Sequence, residues 1–228
     1  MTSPLSYRPA ERRPIATRNR RVAQRLATWL ARRHVSPNHI SVAGMIAGIT
    51  AGICLAATAY TTGLTTRSAW LLAACLIQVR LLANMFDGMV AIEQDRQSPL
   101  GELYNEIPDR VSDAFILIGL GYATGGDIMF GYVAACLAIF LAYVRAMGSM
   151  TGAGQVFRGP MAKPHRMFVV TVVALYCGLA PSSWQPTLAD GPGWGVSAAG
   201  LVVIILGCVF TVVRRLRRIG RSLKESSP

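Results

Sequence analysis

The chain has 228 residues, 52% of them hydrophobic, with a mean hydropathy of +0.40 and a formal net charge of +12. That length fits one domain, but the apolar content exceeds that of an ordinary soluble domain. Nor does the charge point to nucleic acid: nine arginines precede Pro37 and six Lys or Arg follow Val213, so the basic residues flank apolar runs, as cytoplasmic flanks against anionic headgroups do.

Residues 1–16 are polar, contain Pro4, Pro9 and Pro14, and are expected to be disordered. The polar, Arg-rich start lacks the form of a cleavable signal peptide. Over 17–34 the spacing predicts a helix, within a juxtamembrane segment 17–36. Val22, Leu26, Trp29 and Leu30 form one stripe, and Arg18, Arg21, Arg25 and Arg32 line the other side. Such a helix lies in the membrane interface and does not cross it. Ser36 suits an N-cap and Pro37 the first helical turn.

A membrane span takes about 20 apolar residues as helix, and the runs that follow predict six of them in a domain over 37–213. They fall at 40–60, 68–89, 102–122, 128–150, 167–180 and 194–213, leaving 214–228 as a basic tail. The expected fold is an all-α integral membrane protein, six transmembrane helices preceded by the amphipathic interfacial helix. In the first span Gly44, Gly48 and Gly52 recur every fourth residue, a flat face for close helix packing. A polar linker is expected at 61–67 and a loop at 181–193. The hydrophilic connection at 151–166 carries Arg158, Lys163, His165 and Arg166. An even number of spans puts both termini on one side, and their basic flanks make it the cytoplasmic side of the cell (inner) membrane. Trp70, Trp184 and Trp194 are then expected in an aromatic belt at the outer interface. Cys54, Cys75, Cys136, Cys177 and Cys208 each sit in a different apolar run. Without paired spacing they read as small hydrophobes, not as disulfides or metal ligands. His34, His39 and His165 are too scattered for a zinc set.

Against this basic, apolar background, seven of the 11 acidic residues crowd into 84–113: Asp87, Glu93, Asp95, Glu102, Glu106, Asp109 and Asp113. Asn84 and Asp87 lie three apart at the end of one apolar run, and Asn105, Asp109 and Asp113 lie four apart on the next, along one helical face. Two such faces meeting at a Gly-containing turn make a hard-cation site, of the kind that holds Mg²⁺ or Mn²⁺ beside a phosphate. The plainer alternative is a solvated acidic loop, but such a loop would not alternate acids with Ile107, Val111 and Phe115.

The stretch resembles the signature of the CDP-alcohol phosphotransferases, D-x2-D-G-x2-A-R-x8-G-x3-D-x3-D. Asp87, Gly88, Ala91, Gly101 and Asp109 fall on that pattern with every gap kept, while Asn84, Asn105 and Ile92 stand where it has Asp, Asp and Arg. Pro37-Asn38-His39-Ile40-Ser41 is similar to the family's entry to its first span. The resemblance implies a membrane enzyme, and a homodimer, that transfers a phosphatidyl group from a CDP-linked lipid such as CDP-diacylglycerol to the hydroxyl of an alcohol acceptor, releasing CMP. It implies two divalent cations, Mg²⁺ or Mn²⁺, held by Asn84, Asp87, Asn105 and Asp109. It makes Asp109 the catalytic general base, with Gly88, Ala91 and Gly101 admitting the nucleotide.

Polar groups elsewhere fit the same reading. Arg80 lies inside the second span, where a charge is paired or functional: either an ion pair with Asp109 or Asp113, or a phosphate contact. Arg145, within Tyr143-Val-Arg145-Ala, and the stretch Ala162-Lys163-Pro164-His165-Arg166-Met167 are similar to segments that contact phosphates in family members using phosphorylated alcohols. Arg166 at a helix start would present a bidentate fork, or would serve as a basic anchor. Arg80, Asp113, Arg145, Lys163 and Arg166 therefore join the substrate-binding candidates.

Each Asn replaces an anionic ligand with a neutral oxygen. One charge pair at about 4 Å is worth at most about 4 kcal/mol at an effective dielectric near 20, enough to weaken one cation site. Glu93, Glu106 and Asp113 lie close enough in sequence to compensate, and spacing does not choose among them. The rival reading is a non-catalytic lipid- or nucleotide-binding membrane protein. A transporter fits less well, since its coupling site would sit near the midplane and these acids sit at the rim.

Overall fold

The structure, a computed structural model, describes residues 21–94, 99–151, 159–186 and 193–225. The segment 1–16, the start of the N-terminal helix with Arg18, and the side-chain positions of Asp95 and Arg158 lie outside the described residues. Regular structure within them is all helical: α1 (Arg21–Arg32), α2 (Pro37–Ala57), α3 (Gly63–Glu93), α4 (Pro99–Tyr122), α5 (Ile128–Met150), α6 (Lys163–Leu179) and α7 (Val196–Glu225). Two short 3₁₀ turns, Thr58–Tyr60 and Ser182–Trp184, accompany them.

The helices α2, α3, α5 and α7 are long and apolar enough to cross a bilayer. The other two predicted spans meet that description less well, for different reasons. The α4 helix carries Glu102, Glu106, Asp109, Arg110 and Asp113, and α6 has 17 residues.

Several boundaries differ from the sequence expectation. The linker expected at 61–67 shrinks, because Thr62 takes the extended N-cap position and α3 runs from Gly63. The third span starts earlier, at Pro99, and the fifth at Lys163 with Pro164 in its first turn; proline is well tolerated there because the first-turn N–H groups lack helical partners anyway. The last helix begins at Val196, two residues after Trp194, and continues through the basic tail to Glu225. Ser36 does occupy the N-cap position of α2, but its side chain makes no capping hydrogen bond. Trp70 is 2% exposed and belongs to the core, not to an aromatic belt. Gly178 of α6 lies close to this part of α3, an added Cβ falling 2.9 Å from Leu71 Cδ2 and 3.2 Å from the Trp70 Cβ. Trp184 remains exposed, and Trp194 donates from Nε1 to Asp127 Oδ2 at 2.9 Å.

Packing is organised by α2, which lies against both α3 and α4. The glycine ladder makes that possible. A Cβ on Gly48 would sit 2.6 Å from the Ser112 Cβ of α4, and one on Gly52 would strike the Phe115 peptide. From α4, Gly119 returns the close approach against the Gly52 backbone. On the other flanks α4 packs on α5, α5 on α7, and α3 on α6. Leu55, Trp70, Ile77, Ile116, Leu117, Leu120, Met167, Leu201 and Ile204 fill the interior. Smaller α1 docks Ala23 and Ala27 onto Met85, Met89 and Val90 of α3, leaving Val22, Leu26 and Trp29 exposed, as an interfacial helix would. Gln94 ties the end of α3 to the turn after α1 by donating to the Val35 carbonyl at 3.1 Å.

The two ends of the bundle differ in chemistry. One holds the neutral connections, where Thr124 and Thr58 exchange hydrogen bonds of 3.1 and 2.7 Å and Asp127 caps α5 through Phe130 N. The other holds the end of α3, the starts of α2, α4 and α6, and the charged residues. Gly52→Ala is expected to force α2 from α4 and lower stability by about 1–3 kcal/mol, the usual cost of overpacking. Gly220→Ala, with nothing within 4 Å of its added Cβ, should be neutral or stabilising by up to about 1 kcal/mol. Thermal melts of both variants in detergent micelles check the contrast.

Candidate active site

Helical periodicity places Arg80, Asn84, Asp87 and Ala91 along one face of α3, and Gly101, Asn105, Asp109 and Asp113 along one face of α4. The α4 helix keeps its course although Pro108 lies inside it, so the four-residue spacing of the acids holds. The α2 wedge brings the two faces together at the charged end.

Asp87 is 4% exposed. It accepts a 2.6 Å hydrogen bond from Ser41 Oγ of α2 on Oδ2, and one from the Gly88 N–H on Oδ1. Asp109, 7% exposed, is held differently. Arg80, itself 2% exposed, pairs with its Oδ1, and Lys163 Nζ of α6 lies 2.6 Å from its Oδ2. A buried carboxylate is tolerated when such partners offset its desolvation. Asp113 pairs with Arg166, whose Nη2 donates to Oδ2 at 2.9 Å while Nη1 donates to the Met161 carbonyl at 3.0 Å. Asp87, Asp109 and Lys163 lie within electrostatic reach of one another, so the first two pairs form one site.

Asn84 and Asn105 complete the faces. The Oδ1 atom of each is buried and has no hydrogen-bond partner. A buried amide oxygen without a donor costs free energy unless a ligand uses it. Among the described residues no group of three or more His, Cys, Asp or Glu is arranged for a metal, so the oxygens available to a hard cation are a mixed carboxylate and amide set. Gly88, Ala91 and Gly101 are partly buried along the same stretch.

Sequence spacing had left two residues open as compensating acids, and their partners are now visible. Glu106 receives Arg110 one turn on and Arg145 of α5; Asp113 receives Arg166. Both carboxylates are therefore ion-paired, although Asp113 keeps a buried Oδ1 without a hydrogen-bond partner, and Glu93 is exposed at the end of α3. The sequence reading missed Arg110 and the Ser41 contact. The Glu106/Arg110 spacing of four was a signal for the first; nothing in the sequence pointed Ser41 at Asp87. Of the two alternatives for Arg80, the ion pair with Asp109 is the one found.

The chain resembles known proteins over most of its length. Residues 34–213 match the family model described as CDP-alcohol phosphatidyltransferase. The chain is 26% identical over 213 residues to a phosphatidylinositol phosphate synthase of Streptomyces avermitilis, covering 90% of this chain and 81% of that protein. It is 23% identical over 157 residues to the inner membrane protein YnbA of Escherichia coli, covering 69% of this chain and 75% of that protein. Two solved structures of the Mycobacterium tuberculosis phosphatidylinositol phosphate synthase PgsA1 share the fold. The form with CDP-DAG bound aligns with a TM-score of 0.66 at 19% identity, covering 88% of this chain and 94% of that one. The form in complex with manganese and citrate aligns with a TM-score of 0.68 at 18% identity, covering 86% and 88%. With the family match spanning most of its length, the chain is a multi-pass membrane protein belonging to the CDP-alcohol phosphatidyltransferase family.

Proposed function

We propose that the protein transfers a phosphatidyl group from a CDP-linked lipid such as CDP-diacylglycerol to the hydroxyl of an alcohol acceptor and releases CMP. The observation that carries this is the meeting of the signature residues Asp87 and Asp109 at one end of the bundle, beside two buried amide oxygens that lack partners. The relatives named for phosphatidylinositol phosphate synthesis support the donor class.

The residues present fit a divalent cation, Mg²⁺ or Mn²⁺: the Asp87 carboxylate with the Asn84 and Asn105 amide oxygens is a hard oxygen set, with Asp109 adjacent. Bound there, such an ion would supply positive charge to the donor pyrophosphate. The chain's own residues do the rest. Lys163 is drawn towards the incoming pyrophosphate, which frees Oδ2 of Asp109. The acceptor hydroxyl gives its proton to that oxygen as its own oxygen bonds to the lipid-side phosphorus, and the bond from that phosphorus to the CMP oxygen breaks. The small residues Gly88, Ala91 and Gly101 leave room for the nucleotide. Arg145, whose side chain is 26% exposed, holds the acceptor's phosphate or headgroup by exchanging it for Glu106, and Arg166 steadies Asp113 and the start of α6.

In this reading all six long helices span the cell (inner) membrane, the charged end and both termini are cytoplasmic, and the protein works as a homodimer. A second reading, a binding protein that retains the CDP-lipid without turning it over, is favoured by one observation: both oxygens of Asp109 are occupied by cations.

Purified protein supplied with CDP-diacylglycerol, Mg²⁺ or Mn²⁺ and a panel of alcohols is expected to release CMP only when an alcohol and the divalent ion are both present. Asp109→Asn should lower turnover by at least about 10²-fold, the low end for a general base, and leave CDP-lipid binding in place. Saturable CDP-lipid binding with no CMP from any alcohol would establish the second reading instead. For orientation, single cysteines at Thr65 and Ser183 in a cysteine-free background should label from outside intact cells, and those at Thr151 and Lys224 should not. Labelling of Thr151 from outside contradicts a cytoplasmic site.

A further inference from the structure

We propose that the site takes up one divalent cation per chain, on Asp87 with Asn84 and Asn105, while Arg80 and Lys163 supply as fixed side-chain charge what a second cation would bring. The inference rests on the transfer reading for its substrate, an anionic CDP-linked pyrophosphate; the ion pairs that carry it do not depend on that reading.

A hard dication is held chiefly by anionic oxygens. Two-metal phosphoryl-transfer sites hold their ions about 3.5–4 Å apart, and doubly charged ions that close repel strongly unless several carboxylates lie between and around them. This chain does not keep that supply. Asp109 has Arg80 on one oxygen and Lys163 on the other, at 2.6 Å for the lysine. Asp113 gives Oδ2 to Arg166 and keeps a buried Oδ1 without a hydrogen-bond partner, its charge already balanced by the arginine, and Glu106 is divided between Arg110 and Arg145. Asp87 differs: its recorded hydrogen-bond partners are the neutral Ser41 hydroxyl and the Gly88 N–H. Beside it on the same two helix faces, the Oδ1 atoms of Asn84 and Asn105 are buried amide oxygens without partners. One carboxylate and two neutral oxygens can hold one dication, with the substrate's own phosphates completing its neutralisation.

The cations on Asp109 are placed to act on the same substrate. Lys163 is within electrostatic reach of Asp87, Asp109 and Arg80, so two positive charges from α3 and α6 flank the position next to the Asp87 set. Arg80 cannot leave readily, since its side chain is 3% exposed. Lys163, at 14%, is the more exposed of the pair. One site thus combines two Asn where the family pattern has Asp with two side-chain cations on Asp109.

The test is Mn²⁺ titration of the purified full chain in nanodiscs, read by calorimetry and by the electron spin resonance of unbound Mn²⁺. The expected stoichiometry is one ion per chain, with at least about tenfold weaker binding in Asp87→Asn. Two ions per wild-type chain, or none, overturns the proposal. The double variant Arg80→Met, Lys163→Met releases Asp109 and is expected to bind a second Mn²⁺. A variant shown by its melt to be folded that still binds one ion overturns the substitution of side-chain charge for metal. If the double variant does not fold, the wild-type stoichiometry decides alone. The transfer reading fails separately: CMP release accompanied by two bound Mn²⁺ removes this inference and keeps the activity, whereas one bound Mn²⁺ without CMP release removes the activity and keeps the single-ion site.

Discussion

A carboxylate shut inside a helix bundle must find positive charge, and in this protein Asp109 finds it from two directions. Arg80 reaches it from α3 and Lys163 from α6, so one buried acid fixes the relative positions of three helices. Removing one member of a buried pair strands its partner at a cost of about 3–5 kcal/mol. The neighbouring pair of Asp113 with Arg166 repeats the device one turn further along α4, again to α6. Together they explain how a polar rim survives at the end of an otherwise apolar bundle.

That electrostatic clasp works only because α2 allows α3 and α4 to close. Gly44, Gly48 and Gly52 present backbone to Ala83, Ser112 and Phe115, and the serine one turn before Gly44 and its neighbours, Ser41, reaches Asp87 at 2.6 Å. Packing and site are therefore built by the same helix. Small residues set the spacing, and a single hydroxyl at the charged end delivers the first hydrogen bond to the signature acid. Five side-chain cations, Arg80, Arg110, Arg145, Lys163 and Arg166, pair there with three carboxylates, Glu106, Asp109 and Asp113.

Much of this was legible from residue spacing, within a definite limit. Period-four recurrence identified the glycine face and the face of Asn105, Asp109 and Asp113, because both are properties of one helix. The fixed gaps among Asp87, Gly88, Ala91, Gly101 and Asp109 carried the family. Spacing does not say which helix a face will meet. Arg166 lies 53 residues from Asp113 and Lys163 belongs to a connection read as loop, so their pairings were open until the fold closed. Trp70 was misplaced for a related reason: a tryptophan near a span end reads as an interface residue, and only the contact of α3 with α6 turns it into the core. The linker at 61–67 was misread because polar residues at a helix start resemble a loop.

The account turns on Asp109 being held by buried side-chain charge, and a double-mutant cycle between Arg80 and Asp109 tests that most directly. Chemical unfolding in detergent micelles would compare wild type, Arg80→Met, Asp109→Leu and the pair. Asp109→Leu should cost at least about 3 kcal/mol by stranding two buried cations, Arg80→Met should cost less because Lys163 stays on Asp109, and the double variant should cost less than their sum by at least about 1 kcal/mol. Additive effects, or single variants as stable as wild type, would contradict the clasp and with it the charge arrangement at this site.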